Sequence, residues 1–534
     1  MKHIFNKYYT GIISVMLIIL TSCNDLNQVP TGQFTDETYW YSTDKASYVL
    51  NMAYNQMMND SYFFANEALS DNLFVCRTSD EKLISSGIGS ATTGRFANEW
   101  SDCFGGIRTC DTFLENVDRV PNMDATLKAR MIAEARFIRA SLFFRLTTWY
   151  GDVPLFEKNL TVAESKTIGR TSHADVLKFV RAELDAAAKD LPTSYSKADI
   201  GRVTSGAAIS LKARTYLYEN DWANVVTTCK QVMDSKVYSL FPDYAGLFSA
   251  ANENNSEVIL DVQYVPTLRT WSEYFDYAPP SAGRRVNQQA PTQELVDSYL
   301  MLTGDSIRAT GSGYVESNPY VNRDPRLAAT VLFDGGKWKM PDGTDLTIKI
   351  KPGSGTIDEY KSGSGNNSLT GYYMKKYADP TYTGSFNSGL NLILIRYADI
   401  LLMYAEAQNE LGKMDQATWD ATIKLIRSRA GFTTSNALDY KSSLTQADLR
   451  KIIRNERRVE LALEGTRIFD IRRWKTAETV LNGYPHGAQY GTAGVDNGYI
   501  RLDKRSFNPN RDYLFAVPQA QKDLDPNLGQ NPGY

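Results

Sequence analysis

The chain has 534 residues, 43% hydrophobic and 22% charged, a globular composition that excludes wholesale disorder and collagen-like or coiled-coil architecture. Lys+Arg 58 against Asp+Glu 61 gives a net charge of −3, with no basic excess to neutralise phosphates, which argues against a nucleic-acid partner. Tyr (32) outnumbers Phe (22) and Trp (8) together, so an amphipathic ring favoured at binding surfaces is heavily used.

Lys2 and Lys7 precede the apolar run Ile12 to Leu20, which is shorter than the roughly 20 residues a membrane span needs. A basic flank and a short apolar run read as a secretory leader. Leu20-Thr21-Ser22-Cys23 follows and resembles a bacterial lipobox, so residues 1–22 are expected to be removed and Cys23 to be lipidated. The polar stretch 24–32 reads as a tether.

Further along, apolar residues at Leu127, Met131, Ala135, Ile138, Leu142 and Leu146 predict a helix over 124–149, stopped by Gly151. Arg130 and Glu134 are spaced for a same-face ion pair. A second stripe, Val176 to Ala187, predicts a helix over 173–191. Ser205 to Tyr218 and Trp222 to Met233 form a helix–turn–helix unit of tetratricopeptide-like length, and a similar pair recurs at Tyr397 to Leu411 and Trp419 to Ile426. Between the pairs, from Asn252 to Leu390, the helical period weakens. Gly-rich turns there separate short strand-like runs at Val258–Val262 and Ala328–Phe333. The expected fold is mainly α, with helix pairs in 23–250 and a part at 251–534 that combines long loops, small hairpins and a second helix-pair region.

Chemistry-bearing motifs are sparse. There is no GxSxG, HExxH or Walker loop. Cys76, Cys103, Cys110 and Cys229 form no CxxC or Cys/His cluster, so neither a metal nor another cofactor is expected; free buried thiols are. Paired carboxylates of a glycoside hydrolase remain the enzymatic alternative. The densest aromatic segment is Tyr264 to Arg285, with five rings in fourteen residues between prolines and on no regular period. Read as a surface loop, it predicts that Trp271, Tyr274 and Tyr277 line an open sugar-binding surface, helped by the polar Asp71 and Arg77. Phe74, Trp100 and Trp338 are the next aromatic candidates.

Several ordered strings carry a resemblance. They are Asn322-Arg323-Asp324-Pro325-Arg326-Leu327, Ile395 to Ala407, Asn455 to Trp474 (NERRVELALEGTRIFDIRRW) and Asp525 to Tyr534. Together with the lipobox they resemble the SusD/RagB family of Bacteroidetes outer-membrane nutrient-binding lipoproteins. The resemblance implies an α/α superhelix of tetratricopeptide-like pairs with a loop-rich half. It implies a lipid-anchored, cell-surface protein that binds oligosaccharide, or in some members peptide, without catalysis. It also implies a partner, a SusC-like TonB-dependent transporter. Within these strings, Arg457, Glu460 and Arg467 mix charge with apolar helix positions and are expected in buried ion pairs rather than at the ligand.

Overall fold

The structure, a computed structural model, describes residues 39–272, 274–283, 286–363, 366–381 and 387–534. The leader, the lipobox and Cys23 lie outside the described residues.

The helical part runs through α1 (Thr43–Met57), α2 (Asp60–Ala68), α3 (Gly94–Asn116), α4 (Ala125–Tyr150), α5 (His173–Asp190), α6 (Ser205–Tyr218) and α7 (Trp222–Ser235). The series resumes with α8 (Tyr397–Glu410), α9 (Gln446–Glu460) and α10 (Arg467–Arg473). Each long helix packs on the next: α1 on α3, α3 on α4, α4 on α5, α5 on α6, α6 on α7, then α7 on α8 and α8 on α9. The two predicted pairs are therefore neighbours in space, although more than 150 residues separate them (Ser235 to Tyr397). α4 forms where the stripe predicted it. Asp124 caps it by accepting from Leu127 N at 2.8 Å, and Gly151, at φ +71°, ends it in a conformation that favours glycine. Arg139 on α4 pairs with Asp111 of α3 at 2.7 Å and Glu183 of α5 at 2.6 Å, bridging three helices. The expected Arg130–Glu134 pair is present at 3.2 Å. The second helix of the later pair is broken into Gln416–Asp420 and Ile423–Ala430, with Thr422 out of helical geometry.

The loop-rich half is stitched by four two-stranded antiparallel pairs: β1 (Leu73–Val75) with β3 (Gln289–Pro291), β2 (Val258–Val262) with β8 (Leu392–Arg396), β4 (Val331–Leu332) with β7 (Tyr373–Met374), and β5 (Lys337–Lys339) with β6 (Asp345–Thr347). The strand expected over 328–333 shortens to β4, because Arg326–Thr330 is helical behind Pro325. The half has its own core, in which Phe63 and Phe64 of α2 pack with Trp271, Tyr299, Trp338 and Tyr377.

Between the two cores lies a network of buried charge. Arg396 binds Glu257 and Glu460, each at 2.7 Å, and Glu464 at 2.8 Å. Arg326 binds Asp324, Glu456 and Glu460. Arg427, Arg429 and Lys376 complete it. Beside it, Arg457 joins Asp399 at 2.5 Å to Asp470 at 2.8 Å. The charged strings of the sequence are thus largely structural: each charge of this network has partners of opposite sign, which its desolvation requires. The four described cysteines, Cys76, Cys103, Cys110 and Cys229, are buried and form no disulfide among the described residues. Among the described residues no helix is long and apolar enough to cross a membrane.

Candidate functional site

Of the aromatic surface expected at Tyr264–Arg285, the described rings Tyr264, Trp271 and Tyr277 are buried. Trp271 is 2% exposed; its indole Nε1 donates to Leu390 O at 2.7 Å, and its ring lies 5.2 Å from that of Phe64. Tyr277 is buried against the same Phe64 at 4.9 Å. The Tyr274 side chain lies outside the described residues. The physical reason is backbone pairing: Trp271 exchanges two hydrogen bonds with Ser388, which folds the segment inward and satisfies the polar groups that a buried loop otherwise leaves open. The turn at Val265–Arg269 carries an aliphatic side chain, Leu268, that is 85% exposed.

Asp71 is also internal. Arg467 holds its carboxylate at 2.8 Å and Arg458 at 3.0 Å. Burial works to raise this carboxyl, but the two guanidinium groups outweigh burial and hold it far below the usual carboxylate range. Arg77 is half-buried; its Nε donates to Asn287 O at 3.2 Å, while Nη2 finds no hydrogen-bond partner among the described residues. The reserve candidates Phe74, Trp100 and Trp338 are buried as well.

A cluster of partly buried tyrosines is assembled elsewhere in the loop-rich half. β1 sets Phe74 opposite Ala290 of β3, and with Ile500 and Leu502 they form a small core. Tyr360 and Tyr490 lie over it, half-buried, with ring centroids 6.1 Å apart. Gly371, at φ +74°, lets the chain pass under Tyr490: a Cβ there would come within 3.1 Å of that ring. Tyr320 stacks on Phe333 at 4.0 Å. From Tyr320 a relay of hydrogen bonds runs inward. Its hydroxyl donates to Tyr372 Oη (3.3 Å), which donates to Gln293 Oε1 (2.6 Å), whose amide donates to Asp297 (2.7 Å). Tyr499 donates to Glu316. His486 bonds Glu294 at 2.8 Å and Asp496 at 3.3 Å, and Arg501 clamps Asp496 at 2.5 and 2.7 Å.

The electrostatics follow from these contacts. Burial raises the phenol of Tyr320 to about 12, so it stays a protonated donor at neutral pH. The hydrogen bond to Glu294 raises His486, and the bond from Arg501 holds Asp496 down to about 2. The result is a set of partly exposed flat rings with hydroxyls and carboxylates at fixed positions. Such a surface can stack on the apolar faces of sugar rings and hydrogen-bond their hydroxyls. A Thr147–His173–Glu219 string, at 2.7 and 2.9 Å, lies in the helical part. It is no nucleophile: Thr147 is 1% exposed and gives its proton to Gly151 O at 2.7 Å. Among the described residues no group of three or more His, Cys, Asp or Glu is arranged to hold a metal ion.

Sequence reasoning missed Tyr320, Tyr360, Tyr490 and Tyr499 because each stands alone in its segment. The signal that pointed to them was global, the excess of Tyr over Phe and Trp.

Residues 248–534 match the family model described as "SusD family", and residues 42–217 match the one described as "Starch-binding associating with outer membrane". The chain is 24% identical to SusD-like protein P2 of Formosa agariphila, across 99% of this chain and 100% of that one. A SusD-like carbohydrate binding protein from Bacteroides fragilis superposes with a TM-score of 0.84 at 30% identity, covering 92% of this chain and 100% of that one. A laminarin binding SusD-like protein shares the fold, with a TM-score of 0.69 at 22% identity, over 93% and 100% of the two chains. A family match across more than half the chain, together with the helix-pair superhelix and its loop-rich half, establishes that this protein belongs to the SusD family, a family associated with the outer membrane.

Proposed function

We propose that this protein binds oligosaccharide on its tyrosine face and passes it to a SusC-like TonB-dependent outer-membrane transporter, without itself cleaving the glycan. The observation that carries the reading is the hydroxyl relay from Tyr320 through Tyr372 and Gln293 to Asp297, placed beside the partly exposed rings of Tyr360 and Tyr490. The relay fixes donors and acceptors before ligand arrives, which lowers the ordering cost of binding. The carbohydrate- and laminarin-binding relatives support the ligand class. Asp71, Trp271 and Tyr277 hold the scaffold beneath, and Arg77, whose Nη2 is buried with no hydrogen-bond partner among the described residues, stands with them rather than at the ligand. Cys23 carries the lipid that tethers the body to the outer membrane at the cell surface.

The test is calorimetric titration with a panel of glycans. Tyr490→Ala and Tyr360→Ala should each weaken binding of the cognate glycan by about tenfold or more, as for an aromatic hot spot, while melting temperatures change little. Unchanged affinity in both variants would remove this face from the site. New reducing ends on incubation would replace the binding reading with the hydrolase. Cys23→Ser should leave the protein unacylated and release it from the outer-membrane fraction. Copurification of the transporter with the tagged wild-type protein tests the partner.

A further inference from the structure

A second cleft, of about 610 Å3, opens in the helical part among the ends of α4, α5, α6 and α10 and the segments near Tyr513 and Asn531. Buried arginines elsewhere that lack a carboxylate, Arg323 and Arg505, spend their guanidinium on two or more backbone carbonyls; the cations of this cleft do not. The carboxylates in its wall are committed: Glu219 to His173 at 2.9 Å, and Asp152 to the backbone N–H of His173 at 2.8 Å. Arg473 is likewise neutralised by Glu406 and Asp470. Two neighbouring cations are not. Arg472 is 8% exposed, and its guanidinium lies 4.7 Å from the centroid of the Trp149 ring. Its one hydrogen bond goes to the backbone carbonyl of Asp512 at 3.0 Å, and no carboxylate among the described residues pairs with it. Lys475 follows the end of α10, its backbone at φ +55°. Its ammonium rests 3.9 Å from the centroid of the Tyr513 ring, again with no carboxylate partner among the described residues.

A desolvated guanidinium without a counter-charge is costly, and a like charge beside it adds to that cost. The direction of titration agrees with the geometry. Burial brings Arg472 down to about 10, and burial together with the Arg472 charge lowers Lys475. A group with two or more acceptor oxygens and a negative charge would relieve both cations at once, and a guanidinium meets such a group through two parallel hydrogen bonds. The cleft's volume accommodates a small sugar carrying that group.

We propose that this cleft is an oxyanion-binding site in which Arg472 and Lys475 hold a carboxylate or sulfate group, presented by a small acidic sugar or as the free ion. The site is separate from the tyrosine face and stands or falls independently of it.

Titration of the mature chain with inorganic sulfate, glucuronate and neutral glucose, at matched ionic strength, tests it. Millimolar sulfate or glucuronate should bind and raise the melting temperature, and glucose should do neither. Tighter binding of glucuronate than of sulfate identifies the acidic sugar as the ligand; equal or tighter sulfate binding identifies the free ion. Lys475 is exposed, so Lys475→Gln leaves the fold intact and should weaken anion binding by about tenfold. Arg472→Gln should abolish it, with a loss of stability from the Trp149 contact. The proposal is overturned if neither anion binds, if glucose binds equally well, or if Lys475→Gln binds anions with wild-type affinity.

Discussion

Arg396 grips Glu460 at two points: one guanidinium nitrogen binds the carboxylate at 2.7 Å, and another donates to the Glu460 backbone carbonyl at 2.7 Å. The residues lie 64 positions apart, on β8 and at the end of α9. The grip ties the strand that opens α8 to the helix that packs behind it. It also joins the core of the loop-rich half to that of the helix pairs, because Glu460 is shared with Arg326 and Arg429.

Breaking this junction should be expensive. Arg396→Ala leaves Glu257, Glu460 and Glu464 buried with only Arg326, Arg429 and Lys376 to balance them, and removing one partner of a buried pair costs about 3–5 kcal/mol. Urea unfolding should show that loss with an unchanged slope. A loss below about 1 kcal/mol would place the network among those that contribute little.

Trp271→Ala should behave as a core lesion, with a loss of about 3–5 kcal/mol, because it empties a site against Phe64 and orphans the Leu390 carbonyl. Thermal melts and glycan titration on the same variant separate the possibilities. Full stability with lost binding would return this ring to the ligand surface.

The contact between α3 and α4 is set by Gly106, where an added Cβ would come within 2.6 Å of Leu142 Cδ1. Gly106→Ala should cost about 1–3 kcal/mol through overpacking. Leu142→Ala alone should cost about 2–5 kcal/mol. In the double variant the new methyl meets no leucine, so the two losses should sum to more than the observed one. Strict additivity in the double-mutant cycle would mean that the helices do not meet there.

Asp261 predicts a pH dependence. Burial lifts its carboxyl to about 6, with Gln263 and Asn391 as its donors at 2.6 and 3.3 Å. The folded group keeps its proton to higher pH than the unfolded one, whose pKa is about 3.9. Its contribution therefore favours the fold below about pH 4 and is lost as pH rises through about 6. Glu460 and Asp399 act oppositely. Burial works to raise them, but their arginine partners hold them well below the usual carboxylate range, so their contribution is present at neutral pH and lost on acidification. Asp261→Asn removes only the first effect. Its stability relative to wild type should improve by up to about 3 kcal/mol between about pH 4 and pH 7. An offset constant across that range would contradict the assignment.

The sequence by itself determined the helices at 124–149 and 173–191 and the two helix pairs, while α1, α3 and the break at Thr422 were not legible in it. Periodicity at 3.6 residues, the Asp124 cap and the Gly151 stop are local signals, and α4 formed where they placed it. The ordered charged strings also carried the family and their own role, since Arg457, Glu460 and Arg467 on apolar helix faces have to be paired once buried. Only the tertiary structure decided which rings face solvent. The aromatic density around Trp271 is local, but its exposure depended on a backbone partner, Ser388, more than a hundred residues away. Tyr320, Tyr360 and Tyr490 are individually unremarkable in sequence and become a surface only when Gly371, Phe333 and the β1–β3 pair bring their segments together. The charge imbalance at Arg472 is nonlocal for the same reason. Its neighbour Arg473 carries the same charge, but Arg473 meets Asp470 one turn back on α10 and Glu406 across on α8, while Arg472 faces neither. Helix periodicity is written along the chain; burial and charge balance are sums over neighbours that the chain brings together only by folding.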